Sequence, residues 1–326
     1  MVTSNIFLNS FKQAVKSATE CDDKKLVIIL GSGFHRQYLN GITDANQFSC
    51  LNKLYDWQKL LETVYNNYPH SGHYLKDFED IIIKSTRGDN PKMKGPNENL
   101  IASEIEDQCL KCIQKELLTA QKKVVSDYHN FVPVWLFNPD IVSDVISLNF
   151  DLIPETLLSK RNRQPRVQLK DELDFNGDVN IIRHRTVNGI RFWHPHGDIA
   201  SYKSIILSLR KYANLLPQVE SLRKNFKAFN EKQRKYEAFT WYTALTVRPV
   251  LVVGASISQL EWDLWFALAN RRRNFAKPDN KKHELPIFKM TGPCETLDKN
   301  WFSELTIQKE TYPSQWKHLQ DLFNKY

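Results

Sequence analysis

Glycine is scarce in this chain, 11 among 326 residues, about half the usual share. Each glycine therefore marks a place where the backbone has a reason for it. Cysteine is sparser still: five, at positions 21, 50, 109, 112 and 294. An odd, scattered set reads as reduced thiols in a cytosol and excludes a disulfide-stapled secreted scaffold. No window holds the roughly 18 consecutive apolar residues of a membrane-spanning helix. Met1-Val2-Thr3-Ser4-Asn5-Ile6 lacks the basic and apolar regions of a secretory leader. The expectation is a cytoplasmic protein with no membrane span. No internal repeat or low-complexity tract interrupts it.

What is present is globular in proportion: 41% hydrophobic and 25% charged residues, enough chain for one large domain or two modest ones. The net charge is +8, which suits a polyanionic partner or merely solubility. The densest cationic stretch, Arg271-Arg272-Arg273 with Lys277 and Lys281-Lys282, follows an amphipathic run. It reads as a solvated helix C-terminus more readily than as a nucleic-acid contact. One aromatic residue, Phe275, stands among those charges, which does not make a stacking platform; direct nucleic-acid binding stays open.

Along the chain, residues 6–19 carry Phe7, Phe11, Val15 and Ala18 on one helical face. Leu26–Leu30 is a continuous apolar run ending at Gly31-Ser32-Gly33, the pattern of a buried parallel strand. Residues 51–66 and 97–127 read as helical; in the second, Ile105, Cys109, Ile113 and Leu117 recur every four residues. Further strands are expected at 144–148, 179–182, 190–193, 249–254 and 286–290, with helix over 203–245 and from Asp263 to Ala269. Strands alternating with helices predict an α/β fold with a mainly parallel, Rossmann-like sheet. The long helical stretches near 51–127 and 203–245 are expected to form an inserted helical subdomain. Residues 1–300 would form the main domain and 301–326 a C-terminal helical tail.

Polar clusters stand at the carboxyl ends of the expected strands, the edge where open α/β sheets bind ligands. Gly31-Ser32-Gly33 allows a phosphate to approach backbone N–H groups and a helix start, or is an ordinary tight turn. The third glycine of a dinucleotide fingerprint is replaced by Arg36, and no Lys-Ser/Thr ending follows, which weakens hydride and phosphoryl transfer. In Ser147-Leu148-Asn149-Phe150-Asp151, alternation puts Asn149 and Asp151 on one side, suited to ribose hydroxyls or a water, or to a turn. In His194-Pro195-His196-Gly197-Asp198, His196 is a candidate base, a packed histidine or a metal ligand. Asp198 is a weaker candidate, and His194, facing the other way, reads as structural.

In order, Gly31-Ser32-Gly33, Asn149-Phe150-Asp151, His196-Gly197 and Gly254-Ala255-Ser256 resemble the sirtuin family. The stretch from Gly254 to Asp263 looks like the sirtuin-like NAD-hydrolase domains of bacterial antiphage defence proteins. That resemblance implies NAD+ as substrate, with Gly31, Ser32, Gly33 and Phe34 on its phosphates. It implies Asn149 and Asp151 at the nicotinamide ribose, His196 beside Gly197 as base, and Gly254, Ser256 and Asp263 on the adenosine side. Ser147 stands where the family usually has threonine.

The deacylases of this family carry two Cys-x-x-Cys pairs in a zinc ribbon. Here the only such pair, Cys109-Leu110-Lys111-Cys112, comes before the His-Gly motif and lies in an apolar helical stripe. Core packing is the expectation, no metal is expected, and deacylation is disfavoured. The resemblance thus implies an NAD+ glycohydrolase that depletes NAD+ in abortive infection, gated by a partner protein carrying the sensor or by homo-oligomerisation. The alternative is a non-catalytic NAD or ADP-ribose-binding regulatory subunit.

Overall fold

Leu26–Leu30, the strand β1, is buried at every residue because helices cover the sheet on both sides. The computed structural model of the chain describes residues 2–21, 24–39, 51–66, 70–90, 92, 102–161, 183–225, 240–255, 261–276, 285–291, 307–311 and 314–325. The other strands are β2 (Val142–Ser147), β3 (His184–Val187), β4 (Ile190–Trp193), β5 (Val250–Val253), β6 (Ile287–Thr291) and β7 (Ile307–Thr311). They join β1 in one sheet of order β3-β4-β2-β1-β5-β6-β7. Only the β3–β4 pair is antiparallel. Without that edge hairpin the order is the doubly wound one, which reverses direction on either side of β1.

The helices are α1 (Val2–Glu20), α2 (Gly33–Leu39), α3 (Trp57–Leu61), α4 (Tyr74–Thr86), α5 (Ala102–Asp127), α6 (Ile153–Arg161), α7 (Leu209–Asn225), α8 (Trp241–Val247), α9 (Trp262–Phe275) and α10 (Ser314–Lys325). Alternation along β1 divides the core. Leu26, Ile28 and Leu30 face a cluster that includes Phe11 and Val15 of α1, Ile113 of α5 and Ile153 of α6. Val27 and Ile29 face Trp241 and Leu245 of α8 and Leu264 and Leu268 of α9. Each such side chain contributes about 1.5–3 kcal/mol by leaving water, so a run that is apolar on both faces fixes β1 at the centre.

On α5, Ile105, Cys109, Ile113, Leu117, Ala120 and Val124 make one buried stripe, and the helix packs on α4 and α6. Cys109 is a core side chain: burial, with Cys112 beside it, pushes its thiol up to about 12. Cys112 lies exposed. Among the described residues no group of three or more His, Cys, Asp or Glu is placed to hold a metal ion. Likewise no helix there is long and apolar enough to cross a membrane.

Several expectations are corrected. The stretch 51–66 holds only a 3-10 turn at Asn52–Leu54 and the short α3, whose N-cap Asp56 accepts from the N–H groups of Gln58 and Lys59. The helix expected from 97 begins at Ala102 in the described residues, and 203–245 is divided between α7 and α8. The segment 179–182 lies outside the described residues, and the edge strand is His184–Val187 instead. Its signal was Asn188-Gly189, both at positive φ, the two-residue hairpin turn that joins β3 to β4. The expected helical tail 301–326 contains β7, which pairs in parallel with β6 before α10 begins.

The arginine cluster also differs from expectation. Arg271 is 2% exposed. Its guanidinium donates to the carbonyls of Leu245, Arg248 (2.7 Å) and Leu285 (2.7 Å). It ties the end of α8 to the approach of β6, while Arg272 and Arg273 are exposed.

Candidate functional site

The reversal of strand order brings the loops after β1 and β5 into backbone contact. Gly31 N–H donates to Val253 O (3.0 Å) and Gly33 N–H to Gly254 O (2.9 Å). A Cβ on Gly31 would lie 2.5 Å from Ala255 Cα, and one on Gly33 would lie 2.8 Å from Gly254 O. These glycines therefore let two loops cross at the switch point, and their N–H groups are spent on that crossing. Phe34 N–H likewise donates to Gly31 O (3.0 Å), and the Phe34 ring is fully buried. Gly254 takes φ +65° in the crossing. Ser256 lies outside the described residues.

Next to this crossing is a narrow cleft that opens to solvent. Ser32, Asn149, Phe150 and Asp151 line it from the sheet edge, and Tyr55 and Trp57 from the α3 side. The Trp57 ring meets Phe150 edge-on (5.4 Å) and stacks on Tyr74 (4.6 Å). Asn149 Nδ2 donates one of its two hydrogens to Gly31 O (3.2 Å), so its side-chain oxygen and its second N–H are the groups it can offer a ligand. Ser147 Oγ accepts from Asn149 N–H and donates to Asn149 O, both at 3.3 Å. This hydroxyl fixes the turn that presents Asn149.

Three buried histidine–carboxylate pairs stand along the same edge. His35 Nε2 meets Asp151 Oδ2 at 2.6 Å, His194 Nε2 meets Glu155 Oε1 at 2.6 Å, and His196 Nε2 meets Asp263 Oδ2 at 3.2 Å. Burial pushes the Asp151 carboxyl up, but His35, the Ile153 N–H and His194 outweigh it and leave the group below its ordinary value. For His196 burial acts downward, and Asp263, with Glu261 beyond it, lifts the imidazole above its ordinary value. His194 is raised in the same way by Glu155 and Asp198 against burial. Asp263 is held low by His196 and by the Tyr212 hydroxyl (2.5 Å), despite its burial.

Asn149 and Asp151 lie together on the cleft. His194, read as structural, is the histidine that touches Asn149, with Nδ1 3.0 Å from its carbonyl oxygen. His196 is turned toward Asp263 and Tyr212, and among the described residues no hydrogen bond joins it to Asn149 or Asp151. Asp263 is fully buried on His196. Gly197 closes a turn, donating from N–H to His194 O (2.9 Å). A Cβ there would meet Ser204 O at 1.9 Å.

Asp198 is a structural anchor. It is 1% exposed and pairs with Arg183 and with Arg185 (2.8 Å). Burial alone would raise its carboxyl, but the arginines and His194 hold it at about 2, against 3.8 ordinarily. The pairing therefore stabilises the fold fully above the ordinary value and is lost as the pH falls toward the folded one. Its worth is about 2 kcal/mol. The difference in urea midpoint between wild type and Asp198→Asn should be large at pH 5 and shrink toward pH 2. A difference independent of pH would sink this assignment.

Sequence reading missed His35, Tyr55, Trp57 and Tyr212 as members of the site. His35 carried a signal, since it directly follows the glycine loop that opens α2. The aromatic wall carried none, because its distance in sequence from β2 is closed only by folding. The sequence pattern of the SIR2-like domain matches residues 143–308, half the chain, from β2 into β7. No curated protein matches the chain.

Proposed function

The chain belongs to the SIR2-like domain family, whose members are NAD-utilising enzymes, and from that premise we propose that it is an NAD+ hydrolase cleaving the nicotinamide–ribose bond. The observation that carries this reading is the convergence of Ser32, Asn149 and Asp151 on one cleft beside the switch point of the sheet. The nicotinamide leaving group is already cationic, so the C–N bond breaks with little acid assistance. Positive charge then develops on the ribose, as in glycoside hydrolysis. Asp151 stabilises that charge, and Asn149 positions the attacking water. Tyr55, Trp57 and Phe150 cover the planar ring and exclude bulk water. Ser32 contacts the phosphates, while Gly31, Gly33 and Gly254 keep the loops close enough for it to do so.

His196, oriented by Asp263, accepts a proton from the water or from a ribose hydroxyl in this reading. Water adds at the ribose carbon, and nicotinamide, ADP-ribose and one proton are released. The resemblance to antiphage domains supports a role in depleting NAD+ during abortive infection, with the activity gated by a protein partner or by self-assembly. Nicotinamide release is to be measured over a range of chain concentrations, with NAD+ binding measured in parallel. Release that rises more steeply than the concentration supports gating by self-assembly. Binding without release at every concentration, with candidate partners present, would replace the hydrolase by a non-catalytic NAD-binding subunit.

A further inference from the structure

We propose that His35 is a positioning residue which, backed by Tyr38, fixes Asp151 as an ionised carboxylate in the wall of the cleft. The inference rests on reading that cleft as the place where the ribose bond is cleaved, and it assigns a role to a side chain that itself stands behind the cleft wall.

The geometry is a relay of three side chains. His35 is fully buried and Asp151 is 2% exposed. Tyr38 Oη lies 2.6 Å from His35 Nδ1, and His35 Nε2 lies 2.6 Å from Asp151 Oδ2. The other carboxylate oxygen, Oδ1, accepts the N–H of Ile153 (3.1 Å) as α6 begins. An ionised carboxylate can only accept, so the imidazole presents Nε2–H to it whatever its charge. Burial, then Asp151, holds the Tyr38 phenol far above its ordinary value, so it stays protonated and able to donate.

Among the described residues, the groups facing the pair come from three places. From α2 come His35 and Tyr38, from α6 the Ile153 N–H, and from the turn after β4 His194, itself committed to Glu155. Phe34 flanks the His35 ring edge-on at 5.5 Å, and Phe34 lies in the first turn of α2 with its ring in the core. The imidazole is therefore held in place by packing as well as by its hydrogen bonds. A carboxylate so clamped has both oxygens directed by donors. It serves as a fixed negative charge beside a developing ribose cation and not as a mobile nucleophile.

The test follows the titration of Asp151 by carboxyl-carbon NMR in the full chain, assigned with Asp151→Asn. His35→Asn and Tyr38→Phe are compared with wild type, and nicotinamide release from NAD+ is measured against pH on the same samples. In His35→Asn the Asp151 midpoint is expected to rise by about one pH unit or more. The acid limb of the rate profile should move with it. Tyr38→Phe removes one hydroxyl and keeps the ring, so it tests the relay even if the first variant fails to fold. It should give a smaller rise in the same direction. An unmoved midpoint in a folded variant, or a rate loss equal at every pH, overturns the proposal. A midpoint that rises in the variants, when neither they nor the wild type release nicotinamide at any concentration with candidate partners present, supports the clamp and overturns the hydrolase reading instead.

Discussion

Asn149→Ala lowers nicotinamide release from NAD+ by about 100-fold or more while leaving the fold intact. The size follows from its task, because a water or ribose displaced by about 1 Å from a productive geometry loses a rate factor of that order. The loss should appear in kcat, with KM little changed, since positioning of the attacking water is felt in the transition state. The fold should survive because, among the described residues, the amide makes one bond, to the Gly31 carbonyl at 3.2 Å, and the Ser147 hydroxyl still holds the turn. The same assay run against pH carries a second check. Asp263 raises the His196 imidazole above its ordinary value of 6.5, so the neutral base is populated only at higher pH. Activity should therefore climb as the pH rises through that region. Equal release by wild type and Asn149→Ala would remove residue 149 from the mechanism.

The second large effect is expected at Gly254. A left-handed backbone costs an alanine roughly 1–2 kcal/mol, and Gly254 has φ +65°. The added Cβ would lie 2.1 Å from Phe34 N and 2.5 Å from Gly33 C. Both are backbone atoms that cannot rotate away, and overpacking of this kind costs about 1–3 kcal/mol more. Gly254→Ala should therefore destabilise the chain by about 3 kcal/mol or more, read as a lower urea midpoint at unchanged slope. Any folded fraction should release little nicotinamide, because the loop carrying Ser32 can no longer cross the β5 loop closely. A midpoint within about 0.5 kcal/mol of wild type would mean that the crossing is not under this constraint.

The contrast between Gly31 and Asn149 shows how far the site was legible in the sequence. Both stand at the ends of apolar runs, and strand-end position alone marked them as candidates. For Asn149 the type of side chain also told something of its use, since an amide beside a carboxylate at alternate positions must share a direction. For Gly31 it told only that the backbone approaches something closely. The partner is the loop after β5, more than 200 residues away in sequence, so no local pattern could distinguish a phosphate from a second loop.

The histidines divide in the same way. His196 was marked by its place after β4, but its carboxylate partner Asp263 was assigned to a different task. Only the folding of α9 over the sheet edge brings the two together. His35 carried only the signal of its place in the first turn of α2 behind the glycine loop, and its partner Asp151 across the sheet is known only from the fold.

What the sequence determined by itself is therefore what depends on local periodicity. The runs Leu26–Leu30 and Val250–Val253 are strands because continuous apolar residues bounded by glycine suit a sheet covered on both faces. The stripe of α5 is a helix because its apolar residues return every three or four positions. The tertiary structure decided the strand order, the crossing of the two glycine loops, the aromatic wall and the three histidine–carboxylate pairs. Each of these joins residues far apart in the chain. Their energies come from desolvation, charge and close backbone contact across that separation, and no spacing within the sequence encodes them.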